Sequence, residues 1–205
     1  MTRYAQTNLE LIEQLRDLGY APEHLRLIGA AYVLAARLTS GLFRPSGKTF
    51  LAHLVGTASV LAEHGASPEV TAAGLLHAAY RHGDFGRVRS GPTRHNRGVI
   101  QEAVGAAVER WVYSYERLPW DRTTIDRLHR QELSTDEALV AFMRLANELE
   151  DHLDFGVLYT STFEGRQRSA TVRGPLLVDI AVKIGHPGLA AEFERELIAT
   201  AQAEQ

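Results

Sequence analysis

Residues Lys48 to Tyr80 read KTFLAHLVGTASVLAEHGASPEVTAAGLLHAAY. Leu51, Leu54, Val55, Ala58, Leu61 and Ala62 recur at three- and four-residue steps, which predicts a helix from about Lys48 to His64 with one apolar stripe. Ser67-Pro68-Glu69 then supplies a capping hydroxyl, a proline suited to the first turn and an early acidic residue. These open a second helix from Glu69 to about Tyr80. The turn Gly65-Ala66-Ser67 is so short that the two helices must pack as antiparallel neighbours. His77 falls in step with Val70, Ala73 and Gly74, so its imidazole points inward. His53 lies on the preceding helix, and the two rings can converge on one cavity. A histidine on an apolar stripe is most often a hydrogen-bonded core residue, but two on adjacent packed helices raise a chemical reading.

Helical periodicity extends outward in both directions, with no convincing period-two alternation. Thr7 and Glu10 have capping-box spacing ahead of Leu9, Ile12, Leu15 and Leu18, with Gly19 as the stop. Pro22 opens a helix through Leu25, Ile28, Val33 and Leu38, ended by Gly41 and Pro45. Arg81 to Arg97 lacks an apolar period, contains Gly83, Gly86, Gly91 and Pro92, and is expected to be a long loop. Ile100, Val104, Ala107, Val108, Trp111 and Tyr115 mark the next helix, and Thr124 to Leu133 a short one. Ser134 with Glu137 caps a helix carrying Leu139, Phe142, Ala146, Leu149 and Leu153. A loop through Thr160 to Arg168 precedes two final helices, about Ala170–Ile184 and Pro187–Ala203. The expected fold is all-α, a single helical domain over residues 1–205 with about seven to nine helices. Its motif-bearing core covers about 48–155, and the helices of 156–205 pack on it.

Composition narrows the function. The 205 residues include no cysteine, which excludes disulfides, cysteine-based zinc or iron–sulfur sites and a thiol nucleophile. The formal net charge of -3 argues against a general nucleic-acid-binding surface. No stretch is apolar enough to span a membrane, and the acidic N-terminal residues Glu10 and Glu13 do not suit a signal peptide. A cytoplasmic location is therefore expected. Of the 22 basic residues only Lys48 and Lys183 are lysines. Arginine clusters in one place: Arg81, Arg87, Arg89, Arg94 and Arg97, with His82 and His95 against Asp84 alone. This segment reads either as a solvated loop or as a flap that brings guanidinium groups to an anionic ligand.

The stretches Phe50-Leu51-Ala52-His53-Leu54-Val55-Gly56-Thr57 and Glu69-Val70-Thr71-Ala72-Ala73-Gly74-Leu75-Leu76-His77 resemble the front half of the HD-domain superfamily, of which the hydrolase domain of the ppGpp enzymes is a member. The resemblance covers about 100 residues, Phe50 to Leu153. It implies an all-α fold and a divalent metal held by a first histidine, a His-Asp pair and a distant aspartate. At the corresponding positions this chain has His53, then His77-Ala78, then Leu145-Ala146-Asn147. Both aspartates are replaced, and two neutral imidazoles with an amide oxygen bind hard divalent ions weakly. The run His77-Ala78-Ala79-Tyr80 also resembles an uncharacterised HD-like subfamily with a His-Ser-x-Tyr sequence. No metal or other cofactor is expected, with one divalent ion on His53, His77, His82 and a carboxylate as the alternative.

Three readings follow. In the first, the protein is an HD-like enzyme acting on a small anionic molecule, with His53 and His77 as acid–base or orienting groups. Tyr80, Arg81, His82, Asp84, Arg97, Glu109 and Asn147 would contact the ligand. The reaction class stays open among isomerisation, cyclisation, elimination and hydrolysis. The second reading is a non-catalytic scaffold binding a ligand or protein partner, and the third a phosphohydrolase with a rebuilt metal site. The expected partner is a small molecule, with neither nucleic acid nor membrane; a homodimer is left open.

Overall fold

The computed structural model describes residues 4–86, 90–153 and 163–202. Among these residues the fold is all-α, without a β-strand. The helices are α1 (Asn8–Asp17), α2 (Pro22–Leu38), α3 (Phe50–Glu63), α4 (Pro68–Leu76), α5 (Ala79–His82), α6 (Arg94–Arg117), α7 (Arg122–Arg130), α8 (Thr135–Leu153), α9 (Phe163–Lys183) and α10 (Pro187–Gln202). They fall into two compact units, the first formed by Met1–Leu42 with Thr49–Leu118 and the second by Phe43–Lys48 with Pro119–Gln205. No helix among the described residues is long and apolar enough to cross a membrane.

In the first unit α4 is the central helix, packed against α2, α3 and α6. Every residue from Val70 to Leu76 is buried, so beyond Pro68 and Glu69 α4 has no solvent face. The stripe Val70, Ala73, Gly74, His77 is therefore one of several buried faces. The α3–α4 turn forms as its sequence dictates. Gly65 takes φ 80, the Ser67 hydroxyl accepts from the Val70 amide at 3.3 Å, and Tyr20 Oη donates to the Ala66 carbonyl at 2.8 Å. Gly74 lets the two helices meet closely, since a Cβ there would lie 2.6 Å from Leu61 Cδ1 and 3.3 Å from the Ala58 Cα.

Several expected boundaries move. The capping box of Thr7 and Glu10 forms, but Leu11 and Leu15 are the buried residues of α1, while Leu9 and Leu18 are exposed. On α2 the buried line is Ile28, Ala31, Leu34, Ala35 and Leu38, and Val33 faces out. The helix expected to reach Tyr80 ends at His77. Ala78 leaves helical geometry (φ −97, ψ 2), and α5 resumes as a single turn. The expected loop 81–97 is shorter at both ends: Arg81 and His82 belong to α5, and Arg94, His95 and Arg97 to α6. The Thr93 hydroxyl caps α6 by accepting from the Asn96 amide at 3.2 Å, ahead of a polar first turn that gives no apolar signal. Arg87 and Arg89 lie outside the described residues. Within α6, Gly105 adopts φ 84 and ψ 162, which interrupts the helix and leaves Ala107 exposed while Val104 and Val108 stay buried.

In the second unit α9 packs on α7, α8 and α10, and α8 also meets α10. The Ser134–Glu137 capping box opens α8 with both reciprocal bonds, Glu137 amide to Ser134 Oγ at 3.3 Å and Ser134 amide to Glu137 Oε2 at 3.1 Å. α9 begins at Phe163, earlier than the expected Ala170, and carries Pro175 in its interior. Lys183 Nζ donates to the carbonyls of Leu128, His129 and Gln131, closing the C-terminal end of α7.

Candidate functional site

His53 projects from α3 and is fully buried; His77 stands at the C-terminal end of α4 and is 4% exposed. Their ring centroids are 5.4 Å apart, edge to face at 76°. The close α3–α4 approach at Gly74 sets this separation. His77 Nδ1 lies 2.8 Å from the Gly74 carbonyl, which can only accept, so Nδ1 carries the hydrogen and the lone pair of the neutral ring sits on Nε2. Tyr115 of α6 also packs on His77, centroid to centroid 5.0 Å. Phe50 lies 5.9 Å from His53 and 5.1 Å from His82. His82 is exposed, and it does not join His53 and His77 in a cluster with ligating atoms within 4.8 Å of one another. The three-histidine set of the alternative metal reading is thus not assembled among the described residues, because α5 starts a new turn after Ala78 and carries His82 out to solvent.

A second polar set binds α5 to α6. Glu109 is 1% exposed, and both its oxygens are used. Tyr80 Oη donates to Oε1 at 2.6 Å, Arg97 Nε to Oε1 at 2.8 Å, Arg97 Nη2 to Oε2 at 2.9 Å and Gln101 Nε2 to Oε2 at 2.9 Å. The Arg97 guanidinium also lies over the Tyr113 ring, 4.3 Å from its centroid. Burial opposes ionisation of Glu109, but the bonds from Arg97, Tyr80 and Gln101 outweigh it and hold the carboxyl below its ordinary value. Burial, reinforced by the bond to Glu109, pushes the Tyr80 phenol far up. The bond to Glu109 likewise raises Arg97, keeping its charge fixed.

Of the residues singled out in the sequence, the structure thus brings together His53 with His77, and Tyr80 with Arg97 and Glu109. Arg81 is exposed on α5. Asp84 shapes the segment after α5, its amide donating to the Leu38 carbonyl at 2.8 Å and its Oδ1 accepting from the Gly86 amide at 2.7 Å. Asn147 is half-buried on α8, in the second unit. The sequence reading missed three participants. Tyr115 was one more member of an apolar stripe, Gln101 an unmarked polar residue, and Asn96 an ordinary first-turn residue. Asn96 is buried and its Nδ2 donates to the Gly91 carbonyl at 2.8 Å. A polar residue eight positions, or two turns and a fraction, before a buried glutamate gave a weak signal for Gln101.

The two aspartates of the pattern implied by the resemblance are not at their positions in this chain. Ala78 contributes a methyl where a carboxylate is called for. Glu109, the buried carboxylate among the described residues of this unit, is already surrounded by protein donors.

A family model described as Domain of unknown function (DUF6817) matches residues 34–120, a span that contains both histidines and the Glu109 network. The GTP pyrophosphokinases of Streptomyces coelicolor and Streptomyces antibioticus are each 30% identical over 189 residues, covering 74% of this chain. The chain spans 22% of the length of these curated relatives. Among solved structures, a metazoan ortholog of SpoT, described as hydrolysing ppGpp and acting in starvation responses, is similar over 88% of this chain and 94% of its own, with a TM-score of 0.52 and 14% identity. The fold is HD-domain-like. At that identity the likeness speaks for the fold alone.

Proposed function

We propose that the protein is an HD-like enzyme acting on a small anionic molecule, with His53 and His77 as its acid–base pair. The buried imidazole pair carries this reading. Two rings 5.4 Å apart on closely packed helices, one with its tautomer fixed by the Gly74 carbonyl, are arranged for proton transfer. His77 Nε2 accepts the proton, and the Nδ1–H bond to Gly74 keeps the ring in plane as charge develops on it. His53 returns a proton to the departing or rearranging group. Arg97, about a third exposed and braced by Glu109 and Tyr113, supplies the anion contact, and Arg81 and His82 extend the positive rim. A nucleotide is the first ligand class to test, because the similar proteins are described by GTP pyrophosphorylation and by ppGpp hydrolysis. The residues replacing the family's aspartates support a reaction without the usual metal.

A second reading, a ligand-binding scaffold without turnover, is favoured by the same replacements. One pair of measurements separates them. A panel of nucleotides is screened by thermal shift, and any ligand that stabilises the protein is assayed for conversion with wild type and with His77→Gln. Loss of conversion with binding and melting temperature retained supports the enzyme. Binding without conversion by wild type supports the scaffold. Elemental analysis showing about one zinc, iron or manganese per chain would replace both with metal-dependent phosphohydrolysis.

A further inference from the structure

We propose a second binding site, in the second unit, for a small organic ammonium ion with an apolar body. Between α9 and α10 lies a cavity of about 330 Å³, within the range of about 300–1,000 Å³ that holds small ligands. Pro175, Val178, Leu197, Ile198 and Ala201 are its apolar lining. Gly174 has no side chain, and a Cβ there would stand 2.7 Å from Leu197 Cδ1, so the glycine lets Leu197 pack directly against α9.

The polar groups of this wall fix the ligand's charge. Asp179 and Glu194 line the cavity from opposite helices, one on α9 and one on α10. Thr171 lines it as well, its hydroxyl donating to the Gln167 carbonyl at 3.0 Å. The wall therefore offers two carboxylates, and no lysine or arginine lines it. His129 Nε2 lies 3.0 Å from Asp179 Oδ2 and orients that carboxylate. An apolar wall bearing two carboxylates suits a ligand that combines a hydrophobic body with N–H donors and positive charge. An anion would meet two like charges here, which separates this cavity from the site proposed at His53 and His77.

The probe is 3-phenylpropylammonium, with the uncharged 3-phenylpropanol as its control. Binding is followed by amide shift perturbation on the full chain. The expected result is perturbation confined to residues of α9 and α10 around Thr171–Asp179 and Glu194–Ala201, with the alcohol binding about tenfold more weakly. Exposed Glu194→Gln should weaken the amine about threefold and Asp179→Asn/Glu194→Gln about tenfold, without changing the alcohol. Ala201→Phe, which fills the cavity, should abolish binding of both. Equal binding of amine and alcohol, or unchanged amine affinity in the double charge variant, would overturn the proposal. His77→Gln should bind the amine as wild type does; loss of binding in that variant would mean the amine enters the other site and would refute this one.

Discussion

Replacing Glu109 by glutamine tests the polar set that joins α5 to α6. The wild-type carboxylate accepts four hydrogen bonds from Tyr80, Arg97 and Gln101 while 1% exposed. Glutamine keeps one acceptor oxygen but turns an NH2 toward donors, leaving either Arg97 or Gln101 facing a donor in a dry site. Breaking a buried pair outright costs about 3–5 kcal/mol and stranding a single donor about 1–3 kcal/mol. Arg97 can turn partly to solvent, so the expected loss is about 2–4 kcal/mol, or roughly 5–15 °C in melting temperature for a chain of this size. The pH dependence follows from the same bonds. The folded-state pKa of Glu109 lies below its ordinary value of 4.5, so its contribution is fully present above that value and is lost as pH falls through the folded pKa. Denaturant titrations of wild type and Glu109→Gln should therefore differ most at pH 7 and converge toward pH 3. A variant within about 0.5 kcal/mol of wild type at pH 7, the size of an ordinary surface change, would refute the argument. So would a difference that does not shrink in acid.

Two further substitutions test local packing, both by equilibrium denaturation. Gly74→Ala places a Cβ 3.3 Å from the Ala58 backbone and 2.6 Å from Leu61 Cδ1, and should destabilise by about 1–3 kcal/mol; a neutral result would mean α3 and α4 can separate freely. Lys183→Arg should cost about 1–2 kcal/mol despite keeping the charge, because a planar fork cannot reach the Leu128, His129 and Gln131 carbonyls as an ammonium does, and equal stability would show that charge alone closes α7.

The fold class was readable because its signals are local. Thr7 with Glu10, Ser67 with Pro68, and Ser134 with Glu137 are each complete within four residues, and all three caps form. What failed was the choice of face. Leu9, Leu18 and Val33 fit a helical stripe as well as their neighbours do, and only the packing partners decide that Leu11 and Leu34 go inside. The segment 81–97 was misjudged for a related reason. Its polar start at Thr93 is held by Asn96 and the Gly91 carbonyl, contacts between residues of no apolar character. The meeting of His53 with His77 was legible because a three-residue turn leaves the helices one arrangement. The meeting of Tyr80 with Glu109 was not, since it depends on the break at Ala78 and on the path of the chain to α6.

The two polar sets of the first unit divide the chemistry between them. Bonds from Arg97, Tyr80 and Gln101 hold Glu109 below its ordinary value, and burial holds Tyr80 far above its own, so neither exchanges a proton near neutrality. Their bonds are spent on fixing Arg97 across the Gly105 break. Among the side chains gathered in this unit, imidazole is the type whose ordinary titration falls near neutral pH. His77, with a hydrogen fixed on Nδ1 by the Gly74 carbonyl, presents Nε2 as a base without needing the aspartate that the HD pattern places after it. Ala78, where the HD pattern has an aspartate, leaves this tautomer undisturbed, because the bond that sets it comes from the helix backbone one turn back. The histidines, rather than the network beside them, therefore carry the functional proposal.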